Sequence, residues 1–188
     1  MQETTFPVEI LIHDDASTDG TAEIVSQYEV KYPHLIRATL QKENQYSKGK
    51  KPLLIVKEKA QGQFLALCEG DDYWTDSRKV ELQVRALADH PKASFCSHDV
   101  EVIKEGKPVK IFGLVGVEGS RSAYIHPREV LLGNAPQLLS ILFRNVPFRC
   151  GPRLNTILCG DRYIYSQLST FGGLVHIPKI MGVYNLHS

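Results

Sequence analysis

The sequence lacks the features that mark several large protein classes. Lys and Arg number 22 against 21 Asp and Glu, so no strong overall field draws the chain to nucleic acid or an anionic bilayer. The 4 cysteines form no C-x-x-C pair, which argues against a zinc knuckle or a redox dithiol and favours reduced thiols. No stretch approaches the about 18 apolar residues of a membrane span, and the first residues have no apolar signal core. These absences favour a cytoplasmic protein.

Alternating strands and helices are the main pattern in the first half of the chain. The 188 residues fit one domain, with no repeat or linker. The pattern predicts strands at 8–12, 35–40 and 64–68, and helices that begin near residue 20 and at residue 77. In the second half we expect strands at 93–97, 100–103 and 138–143, a helix over 161–169 and paired short strands over 174–184. The fold class is therefore α/β, with a mostly parallel sheet in its first half.

Acidic residues follow two of these predicted strands directly. Asp14 and Asp15 come after the strand at 8–12, and Asp71 and Asp72 come after the one at 64–68. Ligands of open α/β sheets bind beyond the carboxyl ends of the strands, so we expect these side chains to converge. Clustered carboxylates repel one another unless a cation lies between them, and oxygen ligands suit Mg²⁺ or Mn²⁺. The alternative interpretation is that the first pair are turn residues.

Two segments resemble the signature regions of family 2 glycosyltransferases, which include capsule and cell-surface polysaccharide enzymes. They are VEILIHDDASTDGT, residues 8–21, and EGDDYWTDSRKVELQVR, residues 69–85. The resemblance implies a GT-A fold, which is Rossmann-like, with a mixed and mostly parallel central sheet flanked by helices. It also implies one domain over 1–188, with a nucleotide-sugar-binding half at 1–90 and an acceptor-binding half at 91–188. The family's first strand is not recognisable before Val8.

The resemblance also implies roles for individual acidic residues. Asp14, with Asp15 beside it, matches the position that binds the nucleotide base, and Asp71 matches the carboxylate that meets the ribose. Asp72 matches the metal ligand. The segment CGDRY places Asp161 where the family carries the base that activates the acceptor hydroxyl. For Asp161 the alternative is a helix N-cap.

Two further residues are candidates with weaker support. His187, in VYNLH, resembles the family's closing Tyr-Arg-x-His segment, whose His is a metal ligand or a contact to the diphosphate. Asn185 replaces the usual Arg there, and a disordered tail is the alternative. Lys48 lies in a basic loop, where it would screen the charge of the diphosphate. A solvated loop is the alternative interpretation.

Together these matches predict a metal-dependent, inverting sugar transfer. The expected donor is a nucleoside diphosphate sugar, in particular a UDP-sugar, and the expected acceptor is a polysaccharide or a lipid-linked saccharide. We expect Mg²⁺ or Mn²⁺ as cofactor, no nucleic acid partner, and either a free cytoplasmic chain or one at the inner face of the membrane. A second copy completing the sheet is a further hypothesis. The rival interpretations are an inactive nucleotide-sugar-binding remnant that serves as an interaction subunit, and a nucleotidyltransferase.

Overall fold

The computed structural model describes residues 1–114, 116–117, 121–133, 135–148 and 160–186. These form two compact units, a small unit, Phe6–Gly62, and a large unit made of Met1–Thr5 and the described residues from Gln63 onward. The predicted halves, 1–90 and 91–188, do not coincide with these units. The single-domain organisation stays a prediction.

The small unit is built on two parallel strands. It contains β1 (Ile10–Asp14), α1 (Thr21–Lys31), β2 (Ile36–Leu40), a 3-10 turn (Tyr46–Lys48) and α2 (Pro52–Lys57). β1 pairs with β2 in parallel, from Ile10 opposite Ile36 to Asp14 opposite Leu40. Val25 and Ile36 are its buried apolar residues among those described. The prediction that Tyr28 faces the core is wrong, because its side chain is 51% exposed.

The large unit holds a seven-stranded mixed sheet. Its strands are β3 (Phe64–Ala66), β4 (Tyr73–Trp74), β5 (Ala93–Lys104), β6 (Lys107–Phe112), β7 (Ala123–Ile125), β8 (Leu142–Arg144) and β9 (Gly173–Leu186). Its helices are α3 (Lys79–Asp89), α4 (Pro127–Leu131) and α5 (Gly160–Ser169), with a 3-10 turn at Leu138–Ser140. Along the sheet the order is β3-β8-β5-β9-β4; β6 pairs with β5, and β7 with β9.

The α/β fold class with a mixed sheet is confirmed, but its mostly parallel character is not. Among the described strands, only β1 with β2 and β5 with β9 run parallel, and the other pairings are antiparallel. The predicted break near residue 98 is an irregularity within one strand, β5. The paired short strands expected at 174–184 are likewise one strand, β9. Alternation of strands and helices in the first half predicts parallel pairing, which β1 and β2 show, whereas β3 pairs antiparallel with β8 from the second half.

Long parallel strands and one helix organise the core of the large unit. β5 and β9 pair along most of their length, and α3 packs on them through Ala86 and Leu87 beside Cys96 and Val175. The segment expected to be buried on both faces, 64–68, has only Leu65 buried within β3 and lies at the end of the sheet order. β5 and β9 therefore form the frame of the sheet, to which β8, β6, β4 and β7 are joined directly.

Gly172 lies where the chain enters β9, and its position requires the absence of a side chain. A Cβ atom there would lie 2.4 Å from the Lys92 carbonyl oxygen and 3.0 Å from the Ser94 amide nitrogen. Both atoms are backbone and cannot move aside cheaply, so we expect Gly172→Ala to lower the free energy of unfolding by about 1–3 kcal/mol. Urea denaturation measures the change. Gly70→Ala is the matched control, since nothing lies within 4 Å of its Cβ position; equal midpoints for the two variants would contradict the expectation.

Candidate functional site

The carboxylates at the end of β1 are held by backbone amides of the small unit. Asp14 is 4% exposed, and its Oδ2 accepts a hydrogen bond of 3.2 Å from the Ser17 amide. Asp15 accepts hydrogen bonds from the amides of Gln45, at 2.7 Å, and Tyr46, at 2.9 Å. Burial raises the pKa of Asp15, but these two amides outweigh it and leave the pKa below its usual value. Asp15 therefore fastens the basic loop to the end of β1.

The basic loop begins with the 3-10 turn that Asp15 holds. Lys48 forms an ion pair with Glu43, and about half of the Lys48 side chain, 53%, is exposed. Lys51 lies over the Tyr46 ring, with its Nζ 5.1 Å from the ring centroid. The loop thus has a folded backbone while its cations face outward. A role for Lys48 at a diphosphate stays a prediction.

Four carboxylates of the large unit influence one another electrostatically, and we call Glu69, Asp71, Asp72 and Asp161 the acidic cluster. Partial burial and the charges of Asp161, Asp72 and Asp71, in that order, raise the pKa of Glu69. Partial burial and the same cluster raise the pKa of Tyr184 on β9. Electrostatic effects of this kind require short separations. Asp161 thus acts electrostatically on the same residue as Asp71 and Asp72, although it lies far from them in the sequence.

The end of β9 fixes the orientation of the Asp71–Asp72 segment. Asp72 is 8% exposed, and its Oδ1 accepts a hydrogen bond of 2.9 Å from the Asn185 amide. The Asn185 side-chain amide donates to the carbonyl oxygen of Asp71. A turn bond of 3.2 Å from the Asp72 amide to the Glu69 carbonyl closes the loop. Asn185, where the family usually has Arg, thus holds the two aspartates in place.

Asp161 is the second residue of α5 and lies in its first turn, on the surface. Because Asp161 lies inside the helix, it is not the N-cap residue. A negative charge in the first turn is stabilised by the amides and the dipole of the helix.

The donor set of the acidic cluster fits a hard divalent cation. Carboxylate oxygens are the ligands that Mg²⁺ and Mn²⁺ prefer, and a cation would relieve the repulsion that raises the pKa of Glu69. Within the described ranges, no three His, Cys, Asp or Glu side chains form a ready-made metal site. His187, the second predicted ligand, lies outside the described residues. Any cation here would thus need further oxygen ligands.

A second polar cluster joins β5 to β9 and has a different character. The Ser97 hydroxyl lies 2.8 Å from His176 Nδ1, and His176 Nε2 lies 2.9 Å from Asp99 Oδ1. The order is that of a hydrolytic Ser-His-Asp relay, but Ser97 has no exposed surface. A nucleophile must reach its substrate, so this cluster fastens two strands and performs no chemistry.

Buried histidines make the fold sensitive to acid. Burial, and then the charge of Lys79, lowers the pKa of His98 to about 3, with His176 adding and Asp76 opposing. Burial lowers the pKa of His176 although Asp99 opposes it. The folded chain holds both rings neutral, whereas the unfolded chain protonates them near pH 6.5. Stability is therefore present above pH 6.5 and is lost as the pH falls below it.

We expect the free energy of unfolding to drop between pH 7 and pH 5 by up to about 1.4 kcal/mol per pH unit for each of these histidines. Urea denaturation at the two pH values measures the drop. His98→Leu should reduce it, whereas His34→Leu, at an exposed position, should leave it unchanged. A drop of the same size in the His98→Leu variant would show that His98 does not carry the effect.

Sequence reasoning assigned no role to three residues: Glu69, a member of the acidic cluster, and Tyr184 and Asn185, which interact with it. Glu69 lies inside the second signature segment, and Tyr184 and Asn185 lie inside the closing segment. Their positions in those segments are the signal that could have found them. Lys79, buried beneath Trp74, carries no such signal, because a lysine at a helix start normally faces solvent.

The comparisons with known proteins point to one family of transferases. Residues 1–152 match the family model described as glycosyl transferase family 2. Uncharacterized proteins of Mycobacterium tuberculosis and Mycobacterium bovis are 34% identical over 198 residues, covering 100% of this chain and 52% of their own length. A Bacillus subtilis protein named as a teichuronic acid biosynthesis glycosyltransferase, TuaG, is 32% identical over 105 residues, 55% of this chain and 40% of its own length. The chain thus spans about half the length of the mycobacterial relatives.

No helix among the described residues is long and apolar enough to cross a bilayer.

Proposed function

This chain belongs to glycosyl transferase family 2, and we propose that it transfers a hexose-type sugar from a nucleoside diphosphate, in particular UDP, to a saccharide acceptor with inversion at the anomeric carbon. The observation that supports this proposal is the acidic cluster, in which partial burial and the charges of Asp161, Asp72 and Asp71 all raise the pKa of Glu69. Such a grouping supplies both parts of the reaction. One carboxylate takes a proton and the others hold the donor.

The donor would be held by residues from both signature segments. Asp72, whose Oδ1 is already fixed by the Asn185 amide, would bind Mg²⁺ or Mn²⁺, with His187 as a second ligand. Asp71 would meet the ribose, and Asp14 with Asp15 would bind the base. A bound divalent cation supplies Lewis-acid stabilisation of the charge on the departing diphosphate. Lys48, on the outward side of its loop, would add a further positive charge.

Asp161 would act as the general base. Its carboxylate would accept the proton of the acceptor hydroxyl while the hydroxyl oxygen bonds to the anomeric carbon. The bond from that carbon to the diphosphate oxygen breaks, and the electron pair leaves with the nucleoside diphosphate. Attack from the face opposite the leaving group inverts the configuration. The surface position of Asp161 gives an acceptor access to it.

The acceptor would be a growing cell-surface polysaccharide or a lipid-linked saccharide. The relative named for teichuronic acid biosynthesis supports this class, since teichuronic acid is a saccharide polymer. A lipid-linked acceptor would place the chain at the inner face of the cytoplasmic membrane. A homo-oligomer in which a second copy completes the sheet is compatible with this proposal.

A donor screen tests the function. The purified chain is incubated with UDP-hexoses and Mn²⁺, with saccharide acceptors present, and the released UDP is measured. We expect UDP release with at least one donor, and none when Mn²⁺ is removed by a chelator. Binding of UDP with Mn²⁺ but no turnover with any donor would favour the rival, an inactive interaction subunit. No binding and no turnover would contradict both.

A further inference from the structure

A lysine side chain is completely buried in the large unit. Lys79, the first residue of α3, has 0% of its surface exposed and is among the largest fully buried side chains. Burial is costly for an ammonium group, and it lowers the pKa of Lys79 to about 7. Among the described residues, no carboxylate forms an ion pair with it. The Lys79 side chain therefore depends on uncharged neighbours for its stabilisation.

Two contacts accommodate the ammonium group. Its Nζ donates to Gln83 Oε1 at 2.8 Å, and it lies 4.0 Å from the centroid of the Trp74 ring. Gln83 in turn donates to the carbonyl oxygens of Ser140, at 2.8 Å, and Cys96, at 3.2 Å. The indole face is the electron-rich surface that a desolvated cation prefers. Lys79 therefore connects the frame of the sheet to Trp74.

Trp74 leads directly to the acidic cluster, because it follows Asp72 by two residues. It belongs to β4, a strand of only 2 residues that pairs with β9 at Val183 and Gly182. Its indole N–H donates to the Leu139 carbonyl at 3.0 Å. The contacts of the Trp74 ring with Lys79 and of its N–H with Leu139 thus add to the bonds by which β9 and Asn185 hold the Asp71–Asp72 segment.

We propose that Lys79 is a positioning residue of the transferase site, holding the Asp71–Asp72 segment in place through its cation–π contact with Trp74. The inference rests on the proposed function. A shape-matched apolar side chain would avoid the burial cost, but it would not attract the indole face. Displacements of about 1 Å at a reacting group are enough to lower a rate by about 100-fold. Because Asp71 and Asp72 are the proposed donor-binding residues, a contact that fixes their segment should also strengthen donor binding.

Lys79→Met removes the charge and keeps the approximate shape. Trp74 is the only tryptophan of the chain, so intrinsic tryptophan fluorescence reports its surroundings alone. We expect the variant to fold with a melting temperature no lower than that of the wild type, a changed Trp74 emission, and a Kd for UDP in the presence of Mn²⁺ raised about tenfold or more. In the transfer assay the KM for the donor should rise more than kcat falls. Lys79→Arg, which keeps the charge, should recover part of the affinity.

The matched control is Arg85→Met on the same helix, whose guanidinium side chain is 67% exposed and pairs with Glu81. It should change neither the emission nor the affinity. Unchanged UDP affinity and unchanged emission in a folded Lys79→Met variant would overturn the proposal. Should that variant not fold, the wild type decides: if UDP with Mn²⁺ binds by calorimetry but leaves the Trp74 emission unchanged, the proposal fails. A wild-type chain that binds no UDP with Mn²⁺ would instead overturn the proposed function, and this role with it.

Discussion

Asp161→Asn is expected to lower the rate of sugar transfer by about 100- to 10,000-fold, the usual contribution of a general base. The amide has nearly the same shape as the carboxylate, but it cannot accept the acceptor's proton. Because the donor is held by other residues, the Kd for UDP with Mn²⁺ should stay within about threefold of the wild-type value. Transfer is measured as UDP release under saturating donor, and binding by calorimetry.

The control for this prediction is another first-turn acid. Glu129 lies in the first turn of α4, so Glu129→Gln removes a comparable favourable interaction with a helix terminus without touching the acidic cluster. It should retain full activity. A transfer rate in Asp161→Asn that equals the rate of Glu129→Gln would mean that Asp161 has a structural role only, and another residue would then have to act as the base.

Asp72→Asn is expected to abolish the metal-dependent part of donor binding. The substituted side chain keeps an oxygen that can accept from the Asn185 amide, as Oδ1 does now at 2.9 Å, so the fold of the segment should persist. It loses the negative charge that a divalent cation needs. In a thermal-denaturation experiment with UDP and Mn²⁺ at about 100 times the Kd, the wild type should gain about 2.7 kcal/mol of stability, and the variant should gain almost none.

Asp89→Asn provides the comparison, because Asp89 is an exposed residue at the end of α3. It carries the same loss of one negative charge, so any general effect of net charge on Mn²⁺ binding would appear there too. The Asp89→Asn chain should be stabilised by the ligands as much as the wild type. If Asp72→Asn is stabilised to that same degree, Asp72 is not the metal ligand.

The sequence contained enough to predict most elements but not their pairing. The strand before Asp14, the helix over Lys79–Asp89 and the turn at Glu105–Gly106 all follow from local patterns, since apolar runs, turn residues and Pro91 mark their ends. Strand direction depends on contacts far apart in sequence. The mixed arrangement expected in the second half is confirmed, but the parallel arrangement expected in the first half does not extend to β3, because β8 lies between β3 and β5 and runs antiparallel to both.

Those residues of the candidate site that lie in a family motif could be predicted from the sequence, and the others could not. Asp71, Asp72 and Asp161 were named from the sequence, and partial burial together with their charges raises the pKa of Glu69, but their roles stay predictions. Whether Asp14, Asp15, Lys48 and His187 have the roles assigned to them stays a prediction, as does the absence of the family's first strand. The Lys79–Trp74 contact could not be foreseen, because a period of apolar residues reveals which face of a helix is buried but not that a lysine occupies it.

The most direct test of the account is a crystal structure of the chain with UDP and Mn²⁺, in which anomalous scattering locates the metal. We expect Mn²⁺ within coordination distance of the Asp72 carboxylate and of the diphosphate oxygens, with the ribose at Asp71. Mn²⁺ and UDP bound away from the acidic cluster, or a diphosphate held there without any metal, would contradict it.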